Sequence, residues 1–219
     1  MNDALPVLAE TLRIPSPAPA PQALAFDGTA LWMGSWENSR LYAIDPRQGS
    51  VGEETQAPGK PVSAVAVGDE LRCVTSETGD SRFIRRFIPG HGFKSEAIPC
   101  PDDTGSFLSF DGERLWLSQR YNKRILELSG TFQMVRAVDV GEEIIGMAWA
   151  RGVVLLSTWL GRDRGGCRLA AIDPNAAAPK ARFVAAVPFV AVSLALDGET
   201  CWTNDFKKNE IVRFALPDF

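Results

Sequence analysis

Histidine is almost absent from this sequence, since His91 is the only one among 219 residues. A Ser-His-Asp triad requires a histidine beside its nucleophile, and many zinc sites use two or three. His91 lies in Pro89-Gly90-His91-Gly92, which is typical of a turn, so we expect an exposed loop residue. The sequence therefore argues against a catalytic triad and against a site with several histidine ligands.

Cysteine is also scarce and widely spaced. The four cysteines, Cys73, Cys100, Cys167 and Cys201, form no CxxC or CxxH pair, which excludes the usual zinc and redox spacings. We expect free, buried thiols that behave as small apolar side chains.

The chain lacks a strong charge of either sign, a leader pattern and a long apolar run. Its formal net charge of -4 gives no electrostatic reason to expect nucleic acid. No basic segment followed by an apolar run opens the sequence, and no stretch approaches transmembrane length. We therefore expect a cytoplasmic protein with neither a nucleic-acid nor a membrane partner.

A repeated unit is what the sequence does contain. The segment AFDGTALWMGSWENSRLYAIDP, which ends at Pro46, reads as three short apolar runs separated by an Asp-Gly turn and a polar turn. Such runs are typical of β-strands joined by tight turns. Four degraded copies follow, and the second strands of the five units begin at Leu31, Leu71, Leu115, Val154 and Cys201. Spacings of 40, 44, 39 and 47 residues are typical of β-propeller blades.

The predicted fold class is all-β, a five-bladed β-propeller of four-stranded blades in a single domain over 1–219. The blades are expected at residues 22–60, 61–101, 104–139, 143–187 and 190–216. The last of these has only three strands, and an open position there would leave a sheet edge exposed. Because Glu10-Thr11-Leu12-Arg13-Ile14 reads as a strand before a stiff Pro-Ala connector, we expect residues 10–14 to pair beside 210–215 and close the ring.

The tryptophans divide into two groups. Trp32, Trp116 and Trp202 share one position of the repeat, so each is expected to fill the wedge between neighbouring blades. Trp149 replaces a phenylalanine at the end of an inner strand and is also expected in the core. Trp36 and Trp159 lie farther along the second strands and are candidate pocket residues.

A ligand site is predicted at the face where the second strands end. Five pairs there differ from blade to blade: Trp36-Glu37, Ser76-Glu77, Arg120-Tyr121, Trp159-Leu160 and Asp205-Phe206. Divergence at one register indicates an asymmetric pocket, although variable turn residues would give the same pattern. The predicted ligand-binding residues are Trp36, Arg120, Tyr121, Trp159, Phe206 and Gln22, with the aromatics and Arg120 suited to a planar or anionic ligand.

Carboxylates supply the candidates for catalysis, namely Glu37, Glu77, Asp205 and Glu143. The entries to the inner strands add a second polar set: Gln22, Ser63, Ser106, Asp102, Asp103, Glu142 and Glu143. Adjacent carboxylates such as Glu142 and Glu143 suit a divalent cation or acid-base chemistry. Neighbours on a strand, however, point to opposite faces and cannot both reach one ligand. Solvated loop residues are the alternative, and we assign no metal site and no cofactor beyond a possible divalent cation.

The glycine-containing segment 162–166, RDRGG, precedes a predicted strand. A phosphate-binding glycine loop requires a following helix, so this segment is not a nucleotide site.

The phrases ALAFDGTALWMGSW, SFLSFDGERLWLSQRYNKRILEL and LALDGETCWTNDFKKNEIVRF resemble the blades of the NHL, SMP-30/gluconolactonase, YncE-like and virginiamycin B lyase-like propellers. The resemblance covers the whole chain and implies the fold. It transfers no reaction, because members include lactone hydrolases, a lyase and binding modules. The SMP-30 cation site has no matching motif here. Five-bladed glutaminyl cyclases offer an architectural analogy, echoed only by Gln22-Ala23-Leu24.

Three functions stay open at this point. The first is a monomer or weak oligomer that binds a small polar or aromatic ligand at the channel mouth, with or without catalysis. The second is a lyase or hydrolase that uses channel carboxylates on a lactone, cyclic peptide or sugar acid. The third is a protein-interaction platform, which would present a flat apolar patch.

Overall fold

The computed structural model describes residues 4–79, 81–161 and 165–219. Within those ranges the alternating apolar runs form five antiparallel sheets of four strands each, and the chain is a five-bladed β-propeller, as predicted. Arg162, Asp163 and Arg164 of the glycine-containing segment lie outside the described residues. No helix in the described ranges is long and apolar enough to cross a membrane.

Each of the first four blades consists of consecutive strands, ordered from the channel outward. Blade one contains β2 (Pro21–Phe26), β3 (Leu31–Ser35), β4 (Arg40–Ile44) and β5 (Val51–Gln56). Blade two contains β6 (Lys60–Val67), β7 (Glu70–Ser76), β8 (Arg82–Ile88) and β9 (Gly92–Pro99). Blade three contains β10 (Leu108–Phe110), β11 (Leu115–Gln119), β12 (Arg124–Leu128) and β13 (Met134–Asp139). Blade four contains β14 (Ile144–Ala150), β15 (Val153–Trp159), β16 (Cys167–Ile172) and β17 (Arg182–Val187).

The fifth blade combines both ends of the chain. It contains β18 (Ala191–Asp197), β19 (Thr200–Asp205), β20 (Glu210–Ala215) and, outermost, β1 (Glu10–Pro15). Strands β1 and β20 are antiparallel, with Ile14 opposite Ile211, which confirms the predicted closure. The segment before β1 also lies along β17, where the Leu8 amide donates to the Ala186 carbonyl at 2.9 Å. The sequence did not predict this second attachment, which joins the outer edges of blades four and five.

The repeated tryptophans fill the wedges between blades, as predicted. Trp32, Trp116 and Trp202 are at most 2% exposed. The Trp32 ring meets Phe87 of blade two edge-on, with 4.9 Å between ring centres. Trp116 stacks on Trp149 of blade four at 5.9 Å. Trp149 packs against the core but is only half-buried, because it also lines the far end of the channel.

The Asp-Gly turn of the repeat has a specific packing role. In blade one, Asp27 accepts hydrogen bonds from the amides of Thr29 and Ala30, both at 2.8 Å, and from the Trp32 indole N–H at 2.6 Å. Burial opposes ionisation of Asp27, but these hydrogen bonds outweigh it and lower the pKa of the carboxyl. Gly28 follows at φ 98°, where a side chain would be strained. The turn therefore holds the wedge tryptophan in place.

The cysteines and the histidine lie where the sequence predicts. All four cysteines are free and buried. Burial raises the pKa of the Cys73, Cys100 and Cys167 thiols to about 12, so they are poor nucleophiles at neutral pH. His91 is exposed in its turn, with Nδ1 3.2 Å from the Pro89 carbonyl oxygen.

Candidate functional site

The five inner strands surround a narrow channel. Its wall consists of small or apolar residues from β2, β6, β10, β14 and β18, and the cavity between them is about 150 Å³. Ser109 is a polar residue of this wall, and its hydroxyl is buried without a hydrogen-bond partner among the described residues. A channel of this size and character favours ligand binding at its mouth over passage through it.

Bulges at the entry to the inner strands shape that mouth. Pro21 and Ala23 oppose consecutive residues of β3, which leaves Gln22 unpaired, and Val62 in β6 and Ile145 in β14 are unpaired in the same way. A bulge redirects a side chain out of the regular alternation of the sheet. All three of these residues line the mouth of the channel.

The mouth contains two adjoining depressions. The apolar depression, of about 280 Å³, is lined by Gln22, Phe107, Arg120, Ile145, Trp159, Val190, Val192, Phe206 and Lys207. The basic depression, of about 250 Å³, is lined by Gln22, Trp36, Val62, Arg82, Gly105, Ser106, Phe107, Arg120, Tyr121 and Phe206. The structure thus gathers all six predicted ligand-binding residues around one opening. Whether they bind a ligand stays a prediction.

Arg120 lies on the boundary between the two depressions. Its guanidinium carbon is 5.2 Å from the centre of the Tyr121 ring and 5.4 Å from that of Trp159. Its Nε and Nη2 atoms each lie 3.4 Å from one Glu143 carboxylate oxygen, which is long for a charged hydrogen bond. The guanidinium is therefore oriented by aromatic faces and only weakly engaged by its carboxylate neighbour.

Two cationic side chains that the sequence did not predict lie near the Trp36 ring. The Lys60 ammonium lies 4.9 Å from its ring centre and the Arg82 guanidinium 5.9 Å. Both residues belong to blade two, whereas Trp36 belongs to blade one. The alignment of repeats compared equivalent positions within blades, so it gave no signal for contacts between blades.

The strand pairing of blade five corrects the predicted pair Asp205-Phe206 by one residue. Asp205 pairs with Glu210 as Ser35 pairs with Arg40, so the residue equivalent to Trp36 is Phe206, not Asp205. The next position is Lys207, which lines the apolar depression and was absent from the predicted set.

Two of the four catalytic candidates lie in ion pairs outside the lining of the mouth. Glu77 accepts from Nε and Nη2 of Arg85, both at 2.7 Å, and this hydrogen bonding lowers the pKa of Glu77. Asp205 is 1% exposed and accepts from Arg13 at 2.9 Å. Neither carboxylate lines either depression. Both attach strands to one another, which is a structural role.

The remaining carboxylates near the mouth differ in position. Glu37 is exposed on the turn after Trp36 and lines neither depression. Glu143 contacts Arg120, whereas the adjacent Glu142 lies 3.5 Å from Arg168, so the two carboxylates, which precede β14, engage different partners. Asp102 pairs with Arg124 at 2.8 Å. Across the described ranges, no three Asp, Glu, His or Cys side chains are placed to share a metal ion.

The serines of the predicted entry set connect elements. The Ser63 hydroxyl of blade two accepts from the Leu108 amide of blade three at 2.9 Å, and the Ser106 hydroxyl accepts from the Arg120 amide at 3.3 Å. Ser106 also lines the basic depression, so it contributes both to the position of Arg120 and to the surface of the mouth.

Solved structures similar to the chain are β-propellers. Glutaminyl cyclase from Myxococcus xanthus aligns with a TM-score of 0.72 at 14% identity, over 96% of this chain and 97% of that one. A PQQ-bound aldose sugar dehydrogenase from Streptomyces coelicolor aligns with a TM-score of 0.60 at 13% identity, over 97% and 83%. The calcium-binding protein regucalcin from Agrobacterium tumefaciens aligns with a TM-score of 0.57 at 9% identity, over 98% of this chain and 96% of that one.

These similarities establish the fold and are too distant to establish a function. Enzymes are among these neighbours. No protein-family model and no curated protein matches the sequence.

The charge at the mouth is one-sided. Arg82, Arg120 and Lys207 line the two depressions, and no Asp or Glu of the described residues does so. The Gln22 side chain forms no hydrogen bond with another described residue, so its amide is available to a ligand. The arrangement can hold an anion by charge, a planar group by stacking and a polar group through an amide.

Proposed function

We propose that the protein binds a small organic anion at the mouth of its central channel. The observation that carries the proposal is the combination of cationic and aromatic side chains around the two depressions, with no carboxylate of the described residues in their lining. A depression with one sign of charge and apolar walls concentrates ligands of the opposite sign. The ligand is therefore anionic and small enough to enter depressions of about 250–280 Å³.

Arg120 is the proposed counterion of the ligand. Its planar guanidinium offers paired N–H donors that match the two oxygens of a carboxylate. Stacking against Tyr121 and Trp159 limits the orientations of the guanidinium, so less entropy is lost on binding. Trp36 provides a further aromatic face in the lining of the basic depression.

A thermal-shift and calorimetric titration tests the proposal. Benzoate and the uncharged benzamide are compared on the wild-type protein and on the Trp36→Ala, Arg120→Ala double variant. Benzoate should raise the melting temperature and bind, benzamide should bind at least tenfold more weakly, and the double variant should lose the benzoate response. Arg47→Ala, at the opposite end of blade one, is the control and should behave as wild type. Equal responses to benzoate and benzamide would contradict an anion site.

A lyase or hydrolase is the second candidate, and Glu143 is the observation that favours it. This carboxylate is about one-third exposed and lies beside Arg120, so it can exchange protons with a ligand held there. Small lactones and peptides with an N-terminal glutamine are suitable substrates for a screen, since one structural neighbour is a glutaminyl cyclase. Any turnover should disappear in Glu143→Gln while binding is retained. Turnover that survives this substitution would remove Glu143 from the reaction.

A further inference from the structure

The apolar depression has a chemical character that the proposed anion site does not require. Its floor is formed by Phe107, Ile145, Val190 and Val192, each at most 7% exposed, and Trp159 closes one side. The charged residues of this depression, Arg120 and Lys207, lie at its edges, since Arg120 is shared with the basic depression and Lys207 is exposed on a turn. A small inorganic anion on Arg120 would leave this apolar surface in contact with water.

Building on the proposed function, we infer that the ligand is a carboxylate with an apolar tail, such as an aryl or branched alkyl group two to three carbons from the carboxyl. The carboxylate binds Arg120 and the tail enters the apolar depression. Charge complementarity at the boundary and apolar complementarity at the floor fix the orientation of the ligand. The paired N–H donors of a single guanidinium match one carboxylate, so the ligand is a monoanion.

Tail burial predicts a dependence on ligand length. Each buried methylene contributes to affinity, so affinity should rise roughly threefold for each carbon added, until the depression is filled. Acetate, propionate, 3-phenylpropionate and 4-phenylbutyrate form a suitable series. The uncharged 3-phenylpropionamide has the same tail as 3-phenylpropionate, so it measures the contribution of the tail without the charge.

The structure offers a matched pair of substitutions. Val192 of β18 and Val62 of β6 each lie four residues before the residue that pairs with Cys201 or Leu71, but Val192 pairs with Asn204 whereas Val62 is in a bulge. Val192 lines the apolar depression and Val62 the basic one, and their exposures are 7% and 6%. Threonine keeps the shape of valine but has a hydroxyl in place of one methyl group, so Val192→Thr and Val62→Thr make the same chemical change in the two depressions.

Isothermal titration of both variants with the series tests the inference. Val192→Thr should weaken 3-phenylpropionate binding by about fivefold or more and leave acetate unchanged, because only the tail meets the new hydroxyl. Val62→Thr places the hydroxyl in the other depression and should weaken 3-phenylpropionate less than Val192→Thr does. If Val192→Thr does not fold, Ile145→Val removes one methylene from the same floor and should weaken 3-phenylpropionate about threefold.

The outcomes distinguish this inference from the proposed function. If the anions bind but affinity does not change with tail length, the tail subsite is wrong and the anion site stands. If 3-phenylpropionamide binds as well as 3-phenylpropionate, the proposed function fails while the apolar subsite stands. If neither compound binds the wild-type protein, both are overturned. Equal losses in Val192→Thr and Val62→Thr would also overturn the subsite.

Discussion

The guanidinium of Arg13 in β1 donates to the buried carboxylate of Asp205 in β19 at 2.9 Å, across the intervening strand β20. The same Arg13 nitrogen donates to Glu210 at 2.5 Å, and Nη2 donates to Glu10 at 2.6 Å. One arginine thus connects the outermost strand of blade five with the two strands inside it. The ring closure is held by an ionic network as well as by the backbone ladder.

Arg13→Met should destabilise the protein by about 2–4 kcal/mol, because it leaves the Asp205 carboxylate buried without its ionic partner. Chemical denaturation at neutral pH measures this loss. Glu10→Gln is the matched control, since Glu10 is a third exposed and should contribute less than about 0.5 kcal/mol. Equal stability of Arg13→Met and wild type would show that the network does not hold the closure.

Deletion of Met1–Pro15 should lower the melting temperature by about 10 °C or more. It removes β1, exposes the edge of β20 and uncovers core surface now buried by Leu8 and Ile14. A deletion of residues 1–5 keeps both the contact with β17 and strand β1, so its melting temperature should change little. An unchanged melting temperature in the longer deletion would contradict a stabilising role for β1.

Glu143→Gln should raise the affinity for 3-phenylpropionate about two- to fivefold, because Glu143 competes with the ligand for Arg120. Calorimetric titration measures the change. Glu142→Gln alters the neighbouring carboxylate, which contacts Arg168 instead, and should leave the affinity unchanged. Weaker binding in Glu143→Gln would mean that this carboxylate helps to hold the ligand.

Glu70 should contribute to stability against acid. Hydrogen bonds from Arg86, and secondly from Arg72, lower the pKa of Glu70 to about 2. A carboxyl with a lowered pKa in the folded protein adds stability above its unfolded pKa of about 4.3, and that stability is lost as the pH falls toward 2. The difference in unfolding free energy between wild type and Glu70→Gln should therefore shrink between about pH 5 and pH 2. A constant difference across this range would contradict the lowered pKa.

The sequence predicted the scaffold because each blade repeats a local pattern. Asp27 and Asp111 recur because both accept a hydrogen bond from the wedge tryptophan, Trp32 or Trp116. The fifth copy differs, since Asp197 pairs directly with Thr200 and the Trp202 indole N–H is buried without a partner among the described residues. The same Asp-Gly dipeptide therefore forms a shorter turn in blade five, which the comparison of the repeats did not reveal.

The candidate site was predicted less completely than the scaffold. Trp36, Arg120 and Trp159 are found at the mouth because they directly follow or end strands whose positions the repeat locates. Lys60 and Arg82 were missed because their contact with Trp36 depends on packing between blades. Asp205 lies one position before the equivalent of Trp36, since it pairs with Glu210 as Ser35 pairs with Arg40, and the pair predicted for blade five therefore began one residue too early.

The pairing of β1 with β20 also has a consequence for folding. The Thr11 hydroxyl donates to the Arg213 carbonyl across 202 residues of sequence. Because β1 is synthesised first and β20 last, the two strands can pair only after the last blade is made. Contacts at such sequence separation also form slowly. Circular permutants that move this strand to follow β20 would turn a long-range contact into a local one and should refold faster.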